Sequence, residues 1–239
     1  MPVVSLFGRR PKRVDVPRSK PRREAAANVS RVDFTELTPE PIAYLGQAAY
    51  LQLTIFETLT HAVASSPTTG AKETLSRAAG LSLAKHQALV AELAKRGKDP
   101  GEIMAAYAER IDRYTRITAG ADWYETLVTS YVTSGLLDDF YRSLAGGLPG
   151  DMAARVAAIF SGADGHDLIV AELRSAIDAN PRLASRLAMW GRRLVGDTLL
   201  IARSALSEQG HPNEARLEPV FTELIAAHTR RMDALGLTA

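Results

Sequence analysis

Two histidines stand where a pair of helices could offer imidazole to a metal ion: His86 in "LSLAKHQAL" and His166 in "FSGADGHDLIV". Each lies midway along a stretch whose apolar residues recur at three- and four-residue steps, the period of a helix face. Carboxylate-bridged di-iron sites in helical bundles take Glu-x-x-His from each of two helices and a further carboxylate from each of two others. The i, i+3 spacing sets both ligands on one face, and imidazole with carboxylate suits iron. Here Leu83 and Ala163 occupy the positions three residues before the histidines. The inward mid-points of the other two long helices read as Gln52 and Ser134, with Asp138 one turn after Ser134 and Tyr131 one turn before. Asp164 lies one position off the missing acid of the second motif. Both imidazoles are present, and the carboxylates expected beside them are not.

Charge decides how much this matters. A pair of ferrous ions brings four positive charges, which four carboxylates would neutralise in a low-dielectric core. Neutral Gln52, Leu83, Ser134 and Ala163 would leave the ions uncompensated, and burying unpaired charge is strongly unfavourable. No normal di-iron centre, and no resident cofactor, is therefore expected. One iron ion held by His86, His166 and either Asp138 or Asp164 is the remaining metal reading. The ordinary reading is that both histidines sit in the core and hydrogen-bond Gln52, Ser134 or water.

The elements that must position these residues are helices. The chain of 239 residues is 46% hydrophobic and 23% charged, with few aromatics, a balance of globular proteins with a sizeable core. Helical spacing runs through residues 38–66, 68–96, 101–118, 121–146, 151–179, 181–207 and 214–235, and nothing alternates long enough to make a strand. Asp122 followed by Glu125 reads as a capping box, Asp151 as a cap, and Asn180-Pro181 as a helix start, with Thr38 a weak cap for the first helix. The fold class is all-α: an up-down four-helix bundle with additional packed helices. Gly162 and Gly165 fall inside the fourth long helix, which is expected to continue through them at some loss of rigidity.

Outside the helices, residues 1–37 form a separate basic, proline-containing arm, expected to be disordered, and residues 38–239 the bundle domain. Residues 1–30 carry Arg9, Arg10, Lys12, Arg13, Arg18, Lys20, Arg22 and Arg23 against Asp15 and Glu24, a net of +6, whereas the remainder has 21 basic and 25 acidic residues. Such an arm is either a solvated tail or an electrostatic handle for RNA, and its apolar tip "VVSLF" could dock on a protein. There is no cysteine, no apolar run long enough for a membrane span, and no apolar region after Arg9-Arg10 to make a twin-arginine signal. A cytoplasmic protein is expected, with a homodimer left open. Arg186, Arg192, Arg193, Arg230 and Arg231 could touch phosphates, although interspersed acids favour a mixed-charge surface. Asp197 reads as a partner for Arg192 or Arg193, and Trp123 and Trp190 as packing residues.

The stretches "LGQAAYLQLTIFETL", "KHQALVAELAKRGKDP", "DWYETLVTSYVTSGLLDDFYRSLA", "GHDLIVAELRSAI", "PRLASRLAMWGRRLVGDTL" and "AHTRRMDALGL", spread over residues 40–237, resemble the actinobacterial ferritin-like proteins related to the tRNA methylthio-isopentenyl-adenosine hydroxylases. The resemblance implies a ferritin-like bundle, and in its active members a di-iron monooxygenase acting on a modified adenosine near the anticodon. Carried over position by position, the family's ligands fall on Gln52, on Leu83 and His86, on Ser134 or Asp138, and on Ala163 and His166. Only the histidines match, so the pair reads as vestigial. Two functions compete. One is a non-catalytic member that interacts with RNA or protein. The alternative is a metal-dependent tRNA hydroxylase or oxidase with an altered iron site.

Overall fold

The computed structural model describes residues 37–207 and 214–238, which belong to one compact unit. Eight helices are found among the described residues: α1 (Pro41–Ala64), α2 (Thr69–Ala94), α3 (Pro100–Ile117), α4 (Trp123–Ala145), α5 (Met152–Ser161), α6 (His166–Ala179), α7 (Pro181–Ser207) and α8 (Glu214–Ala234). They contain no strand, and none is long and apolar enough to cross a membrane. The basic residues from Arg9 to Arg23 lie outside the described residues.

The helix starts follow local chemistry. Thr68 caps α2 through Ala71 N (3.1 Å), Asp99 caps α3 through Gly101 N (2.8 Å), and Asp122 caps α4 through Glu125 N (3.0 Å). The Glu125 carboxylate reaches back to Ala121 N at 2.9 Å. At α1 the cap is Glu40, accepting from Ile42 N and Ala43 N, while Thr38 instead donates to the Leu144 carbonyl at 2.7 Å. Asp151 makes no side-chain cap bond at α5 and pairs with Arg155.

Four helical rods surround the core. α1 packs on α2, α2 on α5 and α6, these on α4, and α4 on α1. Short connections join α1 to α2 and α4 to α5, and α3 spans from one pair to the other while packing on α1. Helices α7 and α8 cover the outer side of α4. The core contains Leu45 and Leu59 of α1, Leu75 and Leu89 of α2, Leu127 and Phe140 of α4, Phe160 of α5 and Leu173 of α6. Burying each such side chain stabilises the fold by roughly 1.5–3 kcal/mol.

Helix α4 is buried on nearly every side. Its composition permits this because Ser130, Thr133 and Ser134 return their hydroxyls to carbonyls four residues earlier. Gly135 lets Arg231 of α8 lie against the helix. A Cβ there would stand 2.1 Å from the Arg231 Nε, and the guanidinium donates to the Gly135 carbonyl at 2.8 Å.

One expectation is corrected. The fourth rod is not a continuous helix over 151–179. It ends at Ser161, runs through an extended Gly162, and restarts at His166 after Gly165, which has φ +74°. The physical cause is Gly165: it adopts a left-handed conformation that favours glycine, and its backbone is pressed against Ala78 of α2. Asp164 then accepts from His166 N at 2.9 Å, closing the turn that starts α6.

Candidate functional site

The polar interior is built from α1, α2, α4 and the start of α6. On α2, Leu75, Ala78, Ser82, Lys85 and Leu89 follow one another at three- and four-residue steps and are all buried. This stripe carries Lys85 into the core, with only 6% of its surface exposed. Asp138 of α4 meets it, also 6% exposed. The Lys85 ammonium donates to Asp138 Oδ2, and Gln52 Nε2 of α1 donates to Oδ1 at 2.6 Å. Both carboxylate oxygens therefore have partners. Burial pushes the Asp138 carboxyl up, opposed by Lys85, by His166 and by the Gln52 bond.

A second chain of hydrogen bonds lies alongside. His166 Nδ1 is 2.8 Å from Asp164 Oδ2, and Nε2 is 2.8 Å from Ser134 Oγ. The Tyr131 ring meets the imidazole edge-on, with centroids 5.4 Å apart. Burial works against ionisation of Asp164, but its bonds from His166 overcome this and hold the carboxyl down at about 2. A carboxylate can only accept, so Nδ1 carries a proton. Ser134, His166 and Asp164 thus stand in the order of a nucleophilic triad. The order does not make a nucleophile. Ser134 is buried mid-helix and donates to the Ser130 carbonyl, and the surrounding helical amides are spent in their own ladder rather than forming an oxyanion hole.

The remaining positions fall elsewhere. His86 is half-buried with Nδ1 2.9 Å from the Ala49 carbonyl, so it binds the α1 backbone rather than the Asp138 cluster. Leu83 is half-buried, and Ala163 is exposed in the break between α5 and α6. Because Ala163 and His166 are not on one helix, the i, i+3 face expected of them does not exist. Among the arginines considered for phosphate contact, Arg186 pairs with Asp122 and Glu125, Arg193 lies 3.8 Å from Asp197 Oδ2, and Arg231, largely buried against α4, pairs with Asp139. Arg192 donates to Thr238. Trp123 donates to the Ala62 carbonyl and Trp190 to Thr129 Oγ1, both at 2.9 Å.

Lys85 was missed by sequence reasoning that looked for acids and imidazoles. The available signal was its place in the 75-78-82-85-89 stripe, which puts an ammonium where a core residue belongs.

The model of a protein family described as "Ferritin-like domain, actinomycetes" matches residues 40–212. The chain belongs to this family. No curated protein matches it significantly in sequence.

In a ferritin-like bundle, metal ligands project from the four core helices into the interior. The side chains present here do not fit a di-metal centre. Among the described residues no three His, Asp or Glu side chains are grouped to hold an ion. The oxygens of Asp138 are engaged by an ammonium and an amide, and a divalent cation there would meet the Lys85 charge directly. What this ferritin-like domain places in its centre is a neutralised pair, with the cation supplied by its own chain.

Proposed function

We propose that the protein is a ferritin-like bundle without oxygen chemistry that works by binding a partner, and that the partner of its basic arm is RNA. The single observation that carries the first half is the buried Lys85–Asp138 pair. It supplies within the chain the positive charge that iron would bring, and it uses the carboxylate that would bind iron. The second half is supported by the net +6 of residues 1–30 beside a mildly acidic remainder, and by the resemblance to tRNA-modifying hydroxylases.

Iron analysis of protein purified from iron-rich culture tests the first half. Substoichiometric iron is expected. About two irons per chain, together with an oxygen-dependent product on modified tRNA, would establish the alternative: a metal-dependent tRNA hydroxylase with an altered iron site. Filter binding of transfer RNA at increasing salt tests the second half. Affinity should fall steeply with salt and be lost when residues 1–30 are removed. Salt-independent binding, or none by the full chain, would overturn it.

A further inference from the structure

Around α4 from the Asp138 cluster lies a cavity of about 350 Å³, between α1, α3 and α4. Its volume is within the range of small-molecule sites, roughly 300–1,000 Å³. The lining is rich in hydroxyl residues, which suggests a polar pocket until the bonds are followed. Thr54, Thr58, Thr115, Thr118, Ser130 and Thr133 each donate to the carbonyl four residues earlier. Thr126 does the same to Asp122, and Thr129 donates to the Thr118 carbonyl while accepting from Trp190. The Thr198 proton goes to the Leu194 carbonyl, so the Tyr114 hydroxyl donates to Thr198 Oγ1 at 2.6 Å.

No lining hydroxyl has a spare proton. A threonine whose oxygen folds back on its own helix presents its methyl outward. The wall is therefore made of threonine methyls with Leu51, Ile55 and Leu137. The titratable carboxylate and imidazole of the lining, Glu57 and His61, are solvent-exposed, which places them at the mouth.

We propose that this cavity binds a small, uncharged, predominantly apolar molecule, of the size of a bicyclic aromatic or a short alkyl chain. An anion would find neither a cation nor a side-chain donor inside. An apolar ligand would replace solvent held by few hydrogen bonds, which favours binding. The inference is independent of the RNA reading, because the cavity is lined by α1, α3, α4 and the α3–α4 connection and by none of residues 1–30.

The test is a fluorescence titration of the full chain with N-phenyl-1-naphthylamine, a neutral bicyclic probe. Saturation at one probe per chain is expected. Thr58→Phe, at a half-buried lining position, should weaken binding at least tenfold with the unfolding midpoint unchanged. Thr133→Val, which keeps the shape and removes a hydroxyl that faces its own backbone, should leave affinity within twofold. Octanol should displace the probe at least tenfold more effectively than octanoate. Should Thr58→Phe fail to fold, the Thr133→Val result and the alcohol-against-acid competition decide. The proposal is overturned by non-saturable binding, by an unchanged affinity in folded Thr58→Phe, or by octanoate competing as well as octanol. Probe binding that emerges only after removal of residues 1–36 would assign the cavity to the chain's own terminus and overturn it equally.

Discussion

The Lys85 ammonium and the Asp138 carboxylate meet between α2 and α4, with their side chains 6% and 9% exposed. Neither has bulk water to fall back on, so each is the other's principal neutralising charge.

Removing one partner should be far worse than removing both. Lys85→Ala strands the carboxylate, and breaking a buried pair this way is expected to destabilise by about 3–5 kcal/mol at pH 7. Lys85→Met with Asp138→Leu removes both charges at similar volume and should return stability to within about 1 kcal/mol of wild type. Urea denaturation of wild type, Lys85→Ala and the double variant reads both terms. If Lys85→Ala is no less stable than the double variant, the pair is not what fills this interior.

The same pair predicts a gain of function. Gln52→Glu with Lys85→Glu adds two carboxylates beside Asp138 and removes the ammonium. This variant should bind cobalt(II) and show visible d–d absorption, whereas wild type should show none. Calorimetric titration with the metal gives the stoichiometry. Equal absorption in both proteins would mean that Lys85 does not exclude the ion.

Glu92 sets an acid limit on stability. This buried carboxylate near the end of α2 receives Lys95 at 2.6 Å, Arg96, and Arg155 of α5 at 3.1 Å. The Arg155 bonds lead in holding its carboxyl down at about 2, against the opposing effect of burial. A carboxyl depressed in the folded state contributes stability above its unfolded value, near 4.3, and loses it as pH falls toward about 2. Allowing for screening by the solvent-exposed stems of Lys95 and Arg155, the contribution is on the order of 2 kcal/mol. Thermal unfolding between pH 5 and roughly 2 should fall less steeply in Glu92→Gln than in wild type.

What was legible in the sequence follows from which signals are local. Seven helical stretches could be read from apolar spacing and caps such as Asp122 and Asn180, because both act within a few residues. The restart at His166 was missed although a sign of it was present: Met152, Val156 and Phe160 before the break and Ile169 and Leu173 after it would face opposite sides of one unbroken helix, and Ala78, distant in sequence, shows why Gly165 is where the chain turns. Lys85 was hidden for a related reason. Lysine at a core stripe position reads as surface until its partner on another helix is known. The positions compared with the di-iron pattern split accordingly. Gln52, Ser134, Asp138 and His166 do reach the interior, while His86 turns to the α1 backbone and Ala163 lies in the open turn.

The two glycines of that turn should respond differently to a methyl group. Gly162 has φ −70° and extended ψ, and an added Cβ would come no closer than 3.4 Å to the Ile159 carbonyl oxygen. Gly162→Ala fits that geometry and restricts the unfolded chain, so its stability should stay within about 1 kcal/mol of wild type, on the stabilising side. Gly165 has φ +74°, and its Cβ would lie 2.8 Å from the Ala78 Cα, which belongs to backbone and cannot swing away. The left-handed conformation alone costs an alanine roughly 1–2 kcal/mol, and relieving the contact requires α6 to move off α2. That movement carries His166 with it, so Gly165→Ala should also disturb the bond from His166 to Ser134. Chemical denaturation measures the first effect, and the imidazole resonances of His166 in NMR report the second. Equal stability of the two alanine variants, with the His166 signals unmoved, would show that the break is held by something other than the close approach of Gly165 to Ala78.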